Sequence, residues 1–155
     1  MIYTVKIKEV NLCGCGVEGD MVIELLSNTF KVYYQAPDSF IQEFILNRNN
    51  FIKESDLKYT GVDNECIISV DLWLVYGKVK KVNKSERKFS NSCRVGGGLL
   101  KGDVISIFND GDLRINCGIV IDITDDSGSV NAIEGDFVEI EGTYQVYFPE
   151  TEFCK

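Results

Sequence analysis

Eight of the chain's 16 basic side chains fall within residues 78 to 101, where Lys78, Lys80, Lys81, Lys84, Arg87, Lys88, Arg94 and Lys101 stand against one acid, Glu86. Cations at that density pair with phosphate or carboxylate groups, and a ring set among them can stack on a nucleobase. Phe89 lies inside the segment, and Trp73 and Tyr76 lie just before it. Single-stranded nucleic acid is therefore one expected partner, contacted by Lys78, Lys80, Lys81, Lys84, Arg87, Lys88, Phe89 and Arg94. The same lysines have a plainer role open to them, which is to neutralise acidic strands or keep a sheet edge from pairing. The whole chain carries a net charge of −8, which works against non-specific nucleic-acid binding.

The compensating acid lies in the last third. Residues 102 to 155 hold twelve acids against Arg114 and Lys155. Glu139, Glu141, Glu150 and Glu152 would line an exposed strand face and the tail, a surface that steers a basic partner. Another protein is the first partner expected, bound through that acidic surface, although acidity also serves solubility alone. No membrane partner is expected, because no apolar run approaches the roughly 18 residues that a helical span requires.

The chemistry of catalysis and of metals has little to work with here. There is no histidine in the chain, so an acid or base would have to be a carboxylate, lysine, tyrosine or cysteine with a displaced pKa. The run around Asp122, Asp125 and Asp126 lacks the alternate oxygen ligands of a calcium loop. Gly96-Gly97-Gly98 precedes a strand and is not followed by Lys-Ser or Lys-Thr, so it is no phosphate cradle and reads as a flexible linker. The expectation is a non-enzymatic protein with no cofactor. An unrecognised carboxylate-based enzyme or a sugar-binding barrel is the remaining alternative.

Six cysteines without an export signal point to a reducing, cytoplasmic setting in which thiols stay free. No two of them have the two to four intervening residues of a zinc knuckle. Cys66 and Cys117 sit at apolar strand positions and behave as small apolar residues. Cys13-Gly14-Cys15-Gly16 is the exception: a tight turn in the simplest view, but two thiols that could meet a soft metal or oxidise.

The elements that would position these groups are mainly strands. Leu113, Ile115, Cys117, Ile119, Ile121 and Ile123 recur at every second place, which predicts one strand through Thr124. Asn109 to Asp112 supplies the turn that pairs it with Val104 to Phe108. Upstream, Val5 and Ile7 change parity to Val10 and Leu12, which requires a bulge near Lys8-Glu9. A three-stranded meander follows, with Met21, Ile23, Leu25, Phe30, Val32 and Tyr34 inward. Pro37 ends it, and Ser39 with Gln42 suggests a capping box opening a short amphipathic helix over residues 39–47. Residues 51 to 64 read as irregular, with room for a helical turn. Cys66 to Val82 is a long strand with a glycine kink at Gly77, and the last strand turns Val138, Ile140, Tyr144, Val146 and Phe148 inward.

Gly19-Asp20, Gly102-Asp103 and Gly135-Asp136 look like strand-entry turns in which aspartate bonds nearby amides. The result is a mainly β, single-domain chain over residues 1–155, an antiparallel barrel or sandwich long enough to bury roughly 70% of its unfolded surface. Its element order resembles that of oligonucleotide-binding (OB) folds in topology alone, and topology of that kind carries many functions.

Overall fold

A computed structural model describes residues 1–61, 66–91, 97–124 and 131–149. Eleven strands form one sheet: β1 (Ile2–Leu12), β2 (Glu18–Leu25), β3 (Asn28–Gln35), β4 (Ile52–Lys53), β5 (Lys58–Thr60), β6 (Cys66–Lys81), β7 (Lys88–Asn91), β8 (Gly97–Ile107), β9 (Leu113–Asn116), β10 (Val120–Ile123) and β11 (Phe137–Tyr147). Two further pairings, β1 with β6 and β11 with β8, close the sheet on itself, so the architecture is barrel-like and mainly β, as expected. It is mixed and not wholly antiparallel, because β10 runs parallel to β6 at Asp122–Trp73 and Ile123–Leu74.

The chain divides into two compact units. One comprises residues 2–71 and 146 onward. Here β1, β2 and β3 form the expected meander, and the register slips between Ile7 and Glu9, where the bulge was required. Val5, Ile7, Val10, Met21, Ile23, Phe30, Val32 and Tyr34 are buried. The predicted helix is present as α1 (Asp38–Phe40) continued by a π-helical stretch, Ile41–Leu46. Its buried residues fall as Phe40 and Ile41, then Ile45 and Leu46, a five-residue spacing that matches the Asn47 N–H to Gln42 carbonyl bond. The capping box does not form. Pro37 occupies the N-cap, no side chain caps the first turn, and Ser39 is exposed. Residues 52–60 hold the small hairpin β4–β5 instead of a helical turn, because the Glu9–Asn11 edge of β1 is open to pair with β5.

The other unit comprises Met1 and residues 72–145. Leu113, Ile115, Cys117, Ile119, Ile121 and Ile123 are all at least 93% buried, as their alternation demands. They do not form a single strand, however. The chain reverses at Cys117-Gly118-Ile119, with Gly118 at φ +105°, and β9 pairs β10 with Ile115 opposite Ile121 and Leu113 opposite Ile123. Paired residues of an antiparallel ladder face the same side, so an apolar alternation survives the reversal and does not mark it.

Gly97 and Gly98 belong to β8 and are buried, so they are not linker residues. A Cβ at Gly98 would lie 2.6 Å from the Tyr144 ring, whose hydroxyl donates to the Ser90 carbonyl at 2.9 Å. At Gly102 the neighbour is backbone: a Cβ would stand 2.2 Å from the Asn116 carbonyl oxygen. Gly102-Asp103 therefore lies inside β8, where the strands approach closely, and does not open a strand.

Backbone cannot rotate away as a side chain can. Gly102→Ala is expected to lower stability by about 1–3 kcal/mol through forced displacement of β9, read as a drop in the urea midpoint at unchanged slope. An unaltered midpoint would show that the β8–β9 ladder yields freely.

Candidate functional site

In the unit containing β7, β8 and β11 the register sets Lys88 beside Lys101, and Lys101 beside Glu139. Their side chains alternate with Phe89, Leu100, Val138 and Ile140, which the two-residue period sends to the opposite face. The lysine-rich segment and the acidic last strand consequently share one face. Lys101 bonds the Glu139 carboxylate at 2.9 Å. It holds that group below the usual glutamate range, with Lys80 and Lys88 adding to the effect.

Asp103 accepts Arg87 at 2.8 Å through both Nε and Nη2, with Lys84 at 3.5 Å. Arg87 is the chief cause of its depressed pKa. Asp136 is held low in the same way, by Lys81 at 2.8 Å and then by the Ile133 amide. The aspartates after Gly102 and Gly135 thus act mainly as acceptors for cations of the 78–101 segment. Asp20, after Gly19, likewise accepts Lys31 and the Asn11 amide.

Once these pairs are made, Lys78, Lys80 and Lys88 remain exposed and without an ion pair among the described residues. Ser85, Glu86, Arg87, Lys88 and Lys101 line an open depression of about 450 Å³. No ring lines it. Phe89 is half-buried and packs edge-on against Tyr144 at 5.4 Å, because its position in β7 points away from the lysines. Arg94, Glu150 and Glu152 lie outside the described residues, as do Asp125 and Asp126. Glu141 is half-buried.

A second depression, of about 530 Å³, is lined by Trp73, Phe108, Asn109, Asp110, Asp112, Arg114 and Asp122. Its polar core is satisfied internally. Arg114 donates to both Asp122 oxygens at 2.7 and 3.1 Å and lies over the Phe108 ring at 5.1 Å, while the Met1 ammonium reaches the same carboxylate at 3.0 Å. Burial alone would raise the Asp122 carboxyl, but these donors outweigh it and hold the group below the ordinary range. With both oxygens engaged, Asp122 orders Arg114.

The third cluster is formed by the β1–β2 loop and the first residue of β2. Cys13, Cys15 and Glu18 are exposed, with one donor atom of each within 4.8 Å of the others. Cys15 is shifted down by the Val17 amide and then by the Cys13 thiol, whereas the bond with Cys15 shifts Cys13 up. Burial pushes Cys66 and Cys117 up to about 11, which leaves those two inert as nucleophiles. Glu18 does not show in the cysteine spacing; a carboxylate three residues after Cys13-Gly14-Cys15 is its mark in the sequence.

Comparison with known proteins finds no matching family model, no similar curated protein and no similar solved structure.

The Asp122 carboxyl gives a pH test with a definite sign. Its folded pKa is depressed, so its stabilisation is complete above the unfolded value of about 3.9 and is lost as pH falls through the lower folded value. At neutral pH, Asp122→Asn is expected to cost about 1.5–3 kcal/mol. The gap between variant and parent should close progressively below about pH 4. Urea titrations from neutral to strongly acid pH read it, and a gap constant with pH would refute the assignment.

Proposed function

We propose that the protein is a non-enzymatic interaction module of a reducing, cytoplasmic setting, and that the charged face of β6, β7, β8 and β11 docks an acidic segment of another protein. One observation carries the proposal: Asp103, Asp136 and Glu139 each already hold a cation of the 78–101 segment, yet Lys78, Lys80 and Lys88 stay exposed on strands that fix their spacing. Cations held on ordered strands lose less entropy on pairing than cations on a loop. The acids between them set a pattern that a carboxylate partner must match, which favours selectivity over affinity. An acidic patch for a basic partner is less well supported, since Glu139 is bound to Lys101.

Among the described residues Cys13, Cys15, Cys66 and Cys117 are free thiols. Among the described residues no helix is long and apolar enough to cross a membrane.

Single-stranded nucleic acid is the second reading, in line with the OB-like element order. The lysines suit phosphates, but the ring needed for stacking is turned away at Phe89.

The two readings separate by fluorescence anisotropy with a labelled glutamate-rich peptide and a labelled single-stranded oligonucleotide at low and moderate salt. Peptide binding is expected to be salt-sensitive. Lys78→Gln/Lys80→Gln/Lys88→Gln should weaken it by about 3- to 150-fold, at roughly 0.2–1 kcal/mol for each exposed pair lost. Glu139→Gln should strengthen it. A tighter oligonucleotide complex with a steep salt slope would transfer the site to nucleic acid, and absence of binding to either probe would end the proposal.

A further inference from the structure

The β1–β2 loop is separate in residues and in chemistry from the charged face, and it has two kinds of donor. The Cys13 and Cys15 sulfurs and a Glu18 carboxylate oxygen lie within 4.8 Å of one another on a surface open to solvent. We propose that these three side chains bind a thiophilic divalent cation of the Zn²⁺ and Cd²⁺ type, with a fourth position open to water.

The donor set selects the ion. Two thiolates favour soft and borderline metals over calcium or magnesium, and the carboxylate favours a divalent ion over Cu(I). A tetrahedral zinc with Zn–S bonds of about 2.3 Å holds two sulfurs about 3.8 Å apart. The two sulfurs therefore need to close by at most about 1 Å.

The loop that presents them is ordered by the backbone. Gly14 at φ +77° and Gly16 at φ +86° take left-handed conformations that most side chains would strain, and they flank Cys15 on both sides. The Cys13 amide donates to the Glu18 carbonyl at 3.2 Å and closes the turn. The Ala36 amide donates to the Val17 carbonyl at 3.0 Å, and the Asp38 amide to the Gly16 carbonyl at 2.9 Å, which ties the far side of the loop to the segment after β3. Much of the ordering entropy of a chelate is thereby met before an ion arrives.

The surroundings are electronegative as well. Asp38 Oδ1 is buried without a hydrogen-bond partner. Asp38, Asp20, Cys13 and Cys15 are all close enough to act on the Tyr34 hydroxyl. A divalent cation offsets that accumulation of negative charge. Binding forms two metal–sulfur bonds and one metal–oxygen bond, and the thiol protons pass to solvent.

The test is titration of the fully reduced protein with Cd²⁺, read by thiolate-to-metal charge-transfer absorption, and with Zn²⁺ in competition with a chromophoric chelator. One equivalent is expected to bind. Cys13→Ser/Cys15→Ser should abolish the band, and Glu18→Gln should weaken binding by about tenfold or more. Cys93→Ser/Cys154→Ser should change nothing. Circular dichroism of each variant controls for folding, which the exposure of all three ligands should preserve. The proposal is overturned if no band forms, if the band survives in Cys13→Ser/Cys15→Ser, if Cys93→Ser/Cys154→Ser loses it, or if Glu18→Gln binds as the parent does.

Discussion

A strand with neighbours on both edges has two faces and no other freedom, so each residue is committed to one face by its place in the count. That constraint governs this protein throughout. In β8 and β11 it sends Leu100, Val138 and Ile140 out of water, and the same step of one residue sends Lys101 and Glu139 outward to meet each other. The charged face is therefore a by-product of core formation. Its strand-borne cations are spaced by the backbone ladder rather than by their own mutual repulsion, and Glu139, which meets Lys101, arrives from a strand remote in sequence.

The apolar alternation was readable residue by residue. Val5 and Ile7 against Val10 and Leu12 announced the bulge, and the meander, the turn at Asn109 to Asp112 and the inward side of β11 followed from the same period. What period alone could not show was where the chain reverses with its parity intact, so β9 and β10 read as one strand. Nor could it show that Asp122 and Trp73 lie on parallel neighbours, because parallel pairing joins residues that no local pattern connects. The short strands β4 and β5 have too few residues to display a period, and they depend on an open edge of β1 that is a tertiary fact.

Of the candidate site, charge was readable and geometry was not. The concentration of cations over residues 78 to 101 was plain, but composition made a basic zone and an acidic zone of what is one interleaved surface. Phe89 lost its expected role for a reason of parity: it follows Lys88 directly, and one step along a strand reverses the face. The glycines mislead for a related reason. The sequence suggests flexibility at Gly98 and a turn at Gly102, whereas both stand where another group comes too close for a Cβ, Tyr144 in one case and the Asn116 carbonyl in the other. Close approach leaves no mark in the sequence except the glycine itself.

The reversal at Cys117-Gly118-Ile119 explains why the alternation runs unbroken through a turn. Asn116 opposes Val120 and Ile115 opposes Ile121, so the numbers of each pair sum to the same even value and residues on one face keep one parity. A connection of two or four residues would hold the same register with Ile121 and Ile123 still buried, but their numbers would then change parity relative to Leu113 and Ile115. The odd length of this connection is what hides the hairpin, and variants with one residue more or less at the turn would display it as a break in the alternation.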